Sequence, residues 1–537
     1  MMKKVLIIML FLFQTSLSSI HADTQKPRNV IFMVMDGTNS DVVTLARWYK
    51  GRPLSLDSIL VGGVQTYSLR SGITDSAAAA TAMAVGKKTN EDMIGMIPFL
   101  DKNHGFVARP TVNILEAAKM KGLATGLIST SPIQHATPAA FSAHSASRND
   151  YDDIAEQQVY QGINVVLGGG KIALLPKNPD LNQLPQQPIG IGSILPQYRK
   201  DGENLIQTIK QKGYHYIESK EQLKHISGTK VWGSFANEDI AYEIDRQKLA
   251  PNQPSLAEMT KKAIELLAKQ KQGFFLFVEG SKIDWAAHKN DPIGMISEVL
   301  AFDAAVKEAL RFAKNDKNTL LIAVTDHGNS GLTMGNDDTR HSYFKTPVQN
   351  FVNPLKKAKY SLAGAISQLN TEHTNIKQVA KSYGLDPLSK QDFIRLKKAK
   401  DIEEEMVTQL AKRAHLGFTT RGHTGEDVFL YAYGPSKPVG LINNTEIPKI
   451  IAEFLNVPSF NKLNHSLFVN ANEYYKNLGY ETKIDLTTKE NPIFIAKKGE
   501  TTITYPANKN IKVYNENVVE LKGITIFNGS NFWISLD

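Results

Sequence analysis

Three apolar, β-rich runs in this 537-residue sequence are each followed at once, or after a single threonine, by an acid. Val30–Met35 leads into Asp36, Phe274–Val278 into Glu279, and Leu320–Val324 through Thr325 into Asp326. Val64–Leu69, Ala124–Ile128 and Val165–Leu167 are further strand candidates, while Thr111–Met120, Leu256–Lys269 and Ile296–Phe312 carry apolar residues at helical spacing. Alternation of this kind predicts an α/β fold, a large, mostly parallel sheet sandwiched by helices. In such sheets ligands gather at the carboxyl ends of strands, which is where these acids fall. A single acid there is equally an Asx turn or a helix cap; three, each with further ligand-type residues nearby, point to a metal site.

The metal would have to be held by imidazole and carboxylate. The sequence has no cysteine, which removes thiolate zinc sites, cysteine nucleophiles, disulfides and cysteine-linked lipid anchors. Asp284 and His288 in VEGSKIDWAAH share a face on a helix beginning near Ile283, the i, i+4 presentation suited to a divalent ion. Asp326-His327 puts a second acid/imidazole pair at a strand tip, and His423 in GHTGED stands just before another strand, Val428–Tyr433. In ITDSAAAATAMAVG, Ser76 precedes a strong helix former. Asp75 or Ser76 could be an ordinary N-cap, or the Ser76 hydroxyl could sit at the positive end of the helix, where a phosphoryl group is favoured.

Met1–Lys4 followed by the apolar run Val5–Phe13 reads as an export leader, residues 1–22, and implies a periplasmic or secreted protein. No other stretch approaches the roughly 20 apolar residues of a membrane-spanning helix. The net charge is +9, and much of the excess lies between Arg340 and Arg421, where 15 basic residues face seven acids. Such a stretch is a solvated helical face or a polyanion-binding surface. The texture divides the chain into an α/β core over 23–339, a basic, helix-leaning insertion over 340–422, the end of the core over 423–484, and a small β appendage over 485–537. Within the appendage, Ile493–Ala496 pairs with Thr502–Tyr505, and Ile524–Phe527 with Phe532–Ser535 around Asn528-Gly529. Five prolines between Pro176 and Pro196 mark a surface excursion.

ITDSAAAAT resembles the active-serine signature of the alkaline phosphatase family. MDGTN, SPIQHATPAAFSAHSASRN, VEGSKIDWAAH, VTDHG and HTGEDVFLYAYGP resemble further blocks of that family, in family order between residues 29 and 434. The resemblance implies hydrolysis of phosphate monoesters through a phosphoserine on Ser76. It also implies two zinc ions and one magnesium ion. Asp284, His288 and His423 would hold one zinc; Asp326, His327, Asp36 and the Ser76 oxygen would contact the second; Asp36, Thr137 and Glu279 would bind magnesium. Arg148 would clamp the phosphoryl oxygens, and a homodimer is implied. Three places depart from the commoner pattern, one of them Gly328-Asn329 after Asp326-His327, where neither residue is a proposed ligand. His135 stands at the third site where some members have Asp. Trp285, beside the substrate position, replaces a Lys or His, which predicts looser phosphate binding. No nucleic-acid partner is required. A sulfatase would want a modified nucleophile in a different motif, and a diesterase would not need Thr137 and Glu279. A non-catalytic polyanion-binding protein would have no use for this ligand set together with Ser76.

Overall fold

The structure, a computed structural model, describes residues 28–101, 105–177 and 197–536. The leader and most of the proline-rich excursion lie outside the described residues. Among the described residues, ten strands form one sheet: β1 (Asn29–Met35), β2 (Leu60–Gln65), β3 (Ala124–Pro132), β4 (Val165–Gly169), β5 (His215–Ile217), β6 (Val231–Ser234), β7 (Phe274–Gly280), β8 (Thr319–Val324), β9 (Val428–Tyr433) and β10 (Gly440–Asn443). Their order is β10-β2-β9-β8-β1-β7-β3-β4-β6-β5. β9 runs antiparallel to β8 and β2, and the other neighbours pair in parallel. The mostly parallel α/β sheet expected from the sequence is therefore what the chain forms.

β1 shows why its run is continuously apolar. Every residue from Val30 to Met35 is buried. Ile31, Met33 and Met35 enter the core on one face, and Val30, Phe32 and Val34 the core on the other. The first face is covered by α1 (Ser40–Lys50), by α4 (Leu256–Leu267) and α6 (Pro292–Asp316), with Tyr383, Met406 and Leu410 of the insertion joining the same core. On the second face lie α2 (Ser76–Val85), α3 (Ile114–Met120) and α7 (Ile447–Leu455). The remaining helix of the site, α5 (Lys282–His288), follows β7.

Boundaries differ from the sequence expectation where a cap or a close approach decides them. α3 starts at Ile114 because Asn113 and Glu116 form a capping box. β2 occupies 60–65 rather than 64–69: Ser68 N–H turns back to Ser71 O at 3.0 Å, and Leu69 N–H leaves for Thr89 O at 2.9 Å. Gly62 and Gly63 belong inside β2. A Cβ on Gly62 would collide with the backbone carbonyl of Gly440 on the neighbouring strand. Glu279 lies within β7 rather than after it, paired with Val34 and Ser129.

The segment 340–422 folds into short helices, Val348–Val352, Leu362–Ile366, Ile376–Ser382, Lys390–Lys398 and Ile402–Arg413. Several of its cations have acid partners. Arg395 and Arg413 meet on Asp392, and Arg421 pairs with Glu404 at 3.1 Å. Towards the C-terminus, Glu481–Asp485, Ile493–Lys498, Thr501–Pro506, Ile511–Tyr514 and Asn517–Glu520 form an antiparallel sheet. The last hairpin, Ile526–Phe527 with Phe532–Ile534, pairs instead with Val469–Asn470.

Candidate active site

The carboxyl ends of β1, β7 and β8 bring Asp36, Glu279 and Asp326 together, buried and side by side. The loop after β8 then adds His327, and α5 adds Asp284 and His288. His423 arrives from the far end of the insertion through a two-residue ladder, Gly328–Asn329 against His423–Thr424. His135 and Thr137 stand where β3 gives way to the short helix Ala136–Ala140.

Three overlapping groups result. In the first, His288 Nε2 and His423 Nε2 are 3.3 Å apart, with Asp284 oxygens 3.3 Å and 3.7 Å from them. His288 donates its Nδ1–H to Arg421 O at 2.7 Å, and His423 donates its own to Thr74 O at 2.8 Å. Once both rings are neutral, each Nε2 presents a lone pair toward the other. Two donors about 2.0–2.1 Å from a tetrahedral ion stand roughly 3.3 Å apart, so this spacing suits a shared cation. In the second group, His327 Nε2 is 3.1 Å from Asp326, 3.6 Å from Asp36 and 3.0 Å from Ser76 Oγ. Asp36, His135 and Glu279 make the third, with the Thr137 hydroxyl beside Glu279.

The electrostatics call for positive charge. Both Asp36 oxygens, Glu279 Oε1 and His135 Nδ1 are buried without a hydrogen-bond partner among the described residues. Burial, then the neighbouring Asp326, drives Asp36 well above the usual carboxylate range. Burial pushes Glu279 up to about 7 against the opposing hydroxyls of Ser129 and Ser281. Burial alone would also raise Asp284, but His288, His423 and His327 more than reverse that and hold it well below its ordinary value. His423 is lowered to about 4 by burial and by His327, and His135 to about 3 by burial and by Arg148. Against the opposing effect of burial, Asp326 raises His327 to about 9 and Asp284 raises His288, so these two rings would give up a proton to a cation. Imidazoles among orphaned carboxylates are a donor set fitted to divalent cations. A fourth acidic group, Glu156, Asp201 and Glu203, is different: Arg199 pairs with Asp201, and Lys509 lies 3.0 Å from Glu156 and 3.2 Å from Glu203.

The structure resolves which residue caps α2. Asp75 accepts from Ala78 N–H at 3.0 Å, so Ser76 is the first helical residue and its hydroxyl is free to face His327. The other Asp75 oxygen accepts from Arg148 Nη1 at 3.1 Å, while Arg148 Nη2 donates to His135 Nε2 at 3.2 Å. Trp285 is buried, its ring edge-on to His135 at 5.6 Å. All twelve residues singled out from the sequence thus lie in or against one site.

Sequence reasoning passed over the residues that hold these groups in place. Asn329 donates to Asp284 Oδ1 at 2.6 Å. The Ser129 hydroxyl donates to Glu279 Oε2 at 2.5 Å, and Gly37 N–H donates to Asp326 Oδ1 at 3.0 Å. Only Gly37 left a readable sign, a glycine directly after the acid at a strand end.

Fold and site together define a class, α/β chains whose strand ends gather carboxylates and imidazoles able to hold divalent cations, with a serine hydroxyl at a helix N-terminus beside them. Comparison narrows it. The Alkaline phosphatase family model matches residues 27–457. Alkaline phosphatase 3 of Bacillus subtilis is 38% identical over 448 residues, covering 80% of this chain and 89% of that protein. The repressible alkaline phosphatase of Saccharomyces cerevisiae is 32% identical, covering 84% and 85%. The solved structure of Thermus thermophilus alkaline phosphatase superposes with a TM-score of 0.69 at 28% identity, over 81% of this chain and 92% of that one. A cold-active alkaline phosphatase from Shewanella sp. gives 0.67 at 29%, over 80% and 100%. The chain belongs to the alkaline phosphatase family, the metal-dependent hydrolases of phosphate monoesters.

Proposed function

We propose that this protein hydrolyses phosphate monoesters through a phosphoserine on Ser76, with two zinc ions and one magnesium ion in the three groups. The observation that carries this reading is Ser76, 2% exposed at the N-terminus of α2, with its Oγ 3.0 Å from His327 Nε2 and beside Asp36 and Asp326. Bound there, divalent ions would supply Lewis acidity, favouring the serine alkoxide and neutralising charge on the leaving oxygen.

The chain's own residues do the rest. Ser76 Oγ attacks phosphorus in line, the bond to the alcohol oxygen breaks, and water then cleaves the Ser76 ester to release inorganic phosphate. The N–H groups opening α2 face the growing negative charge. Arg148, anchored on Asp75, offers a planar fork to two phosphoryl oxygens. Asp284, His288 and His423 would hold the zinc on the leaving-group side; Asp36, Asp326 and His327 the zinc next to Ser76. Asp36, Thr137 and Glu279, with His135 alongside, would hold the magnesium. Trp285 puts no cation on the phosphate, so product binding is looser than in a lysine-bearing relative.

Hydrolysis of an aryl phosphate at alkaline pH with Zn²⁺ and Mg²⁺ tests this, beside a chelated sample, Ser76→Ala, and diester and sulfate analogues. Acid-quenched mass spectrometry should find phosphate on Ser76. Turnover that survives Ser76→Ala, or that favours the diester or sulfate, overturns it. Among the described residues no helix is long and apolar enough to cross a membrane. Export with cleavage near Ala22, and a homodimer in solution, complete the proposal. N-terminal sequencing and solution mass check each.

A further inference from the structure

The first metal group leans on a part of the chain that reads as an accessory. The insertion supplies Arg421 O, which takes the Nδ1–H of His288 at 2.7 Å. It also grips the turn that ends α5. Asp291, three residues past His288 and buried, accepts from the hydroxyl of Tyr383 at 2.7 Å and from Leu362 N–H at 2.9 Å, both from the insertion. The same carboxylate caps α6 through Ile293 N–H at 3.0 Å. Gly294 is what lets it sit so close, since a Cβ there would lie 2.7 Å from Asp291 Oδ2 and 2.8 Å from Ala286 Cβ. On the rim, Lys289 pairs with Glu403 at 3.1 Å.

A buried carboxylate whose partners come from both sides of a junction acts as a fastener. Shifting the insertion against α5 would break charge-assisted bonds in a place that water cannot repair. Tyr383 is fully buried, so its hydroxyl has no solvent alternative either. Between this junction and the metal-facing Nε2 of His288 lie only the turn 289–290 and one imidazole ring.

We propose that Asp291 and Tyr383 are positioning residues for the Asp284, His288 and His423 group, and that the insertion is the frame of this metal site rather than a lid over it. The inference rests on the metal-dependent reading above. The clamp sets where the end of α5 lies, while Arg421 O orients the His288 ring so that its Nε2 faces His423 Nε2 at 3.3 Å.

The test titrates metal-stripped, full-length wild type, Tyr383→Phe and Glu403→Gln with zinc against a fluorescent chelator, alongside melting curves. Tyr383→Phe should lose roughly tenfold in affinity at one zinc site and keep the other, the usual scale for an outer partner of a ligand. Its kcat should fall more than KM rises, and excess zinc should restore turnover. Glu403→Gln, a change at the half-buried rim that leaves Asp291 and Tyr383 in place, should weaken the same site about threefold, the scale of one such ion pair. Zinc curves for both variants that overlay wild type, even with a lower melting temperature for Tyr383→Phe, overturn the proposal. If Tyr383→Phe does not fold, the Glu403→Gln curve decides alone. Wild type that takes up no zinc instead removes the metal reading itself, and the clamp falls with it.

Discussion

Gly37→Ala is the sharpest single perturbation of this site. Gly37 has φ +64°, the left-handed region, and a Cβ built on it would lie 2.6 Å from Asp284 Cβ and 2.7 Å from Asp284 Cα. Left-handed backbone costs an alanine about 1–2 kcal/mol. Carbon contacts settle near 3.5–4.0 Å, so the start of α5 must retreat by roughly 1 Å, at an overpacking cost of about 1–3 kcal/mol. Together these come to about 2–5 kcal/mol of stability. The functional loss should be larger in proportion, because Asp284 is a proposed metal ligand and a displacement near 1 Å can cost about 100-fold in rate. Gly51 separates the two effects: it has φ +69° at the end of α1, with nothing within 4 Å of its Cβ position. Gly51→Ala should therefore lose stability from the backbone strain alone and keep its kcat. The assays are kcat on an aryl phosphate, zinc competition and thermal melting. A Gly37→Ala enzyme within about threefold of wild type in kcat and zinc affinity would refute the claim that α5 is pinned against the loop after β1.

Asn329→Ala removes the amide that donates to Asp284 Oδ1 and should weaken zinc at that group by about tenfold or more in chelator competition, with little change in melting temperature. Asp75→Asn keeps an N-cap for α2 but weakens the anchor of Arg148, so the inhibition constant for inorganic phosphate and KM should rise several-fold while stability holds. Glu298 is buried on α6, and burial pushes it from an ordinary 4.5 to about 8 although Glu243 N–H donates to it. The folded state therefore binds the extra proton between those values, and stability falls as pH rises through the window, by up to about 1.4 kcal/mol per unit. Glu298→Gln should erase that decline and melt higher than wild type at pH 9. Equal pH slopes for the two would rule this out.

What could be read in the sequence was whatever one residue type states by itself at one place in the chain. Asp36, Glu279 and Asp326 were legible because a strand buried on both faces is a continuous apolar run, and an acid at its end stands out. Asp284 and His288 were legible because helical spacing puts them on one face. Ser76 and Arg148 took their roles from the resemblance, and the structure then showed the link between them, Asp75, which caps the serine's helix with one oxygen and holds the arginine with the other. What stayed hidden is carried by groups without residue identity or by long-range pairing. The carbonyls of Arg421 and Thr74 orient two imidazoles, and any residue could have supplied either. The strand starts at Leu60 rather than Val64 because Gly62 and Gly63 pair with a strand almost 400 residues away. Hence the basic stretch 340–422 looked separable. Its sequence shows cations, whereas its structural work is done by Tyr383 and one amide, directed at Asp291, and by one carbonyl, directed at His288.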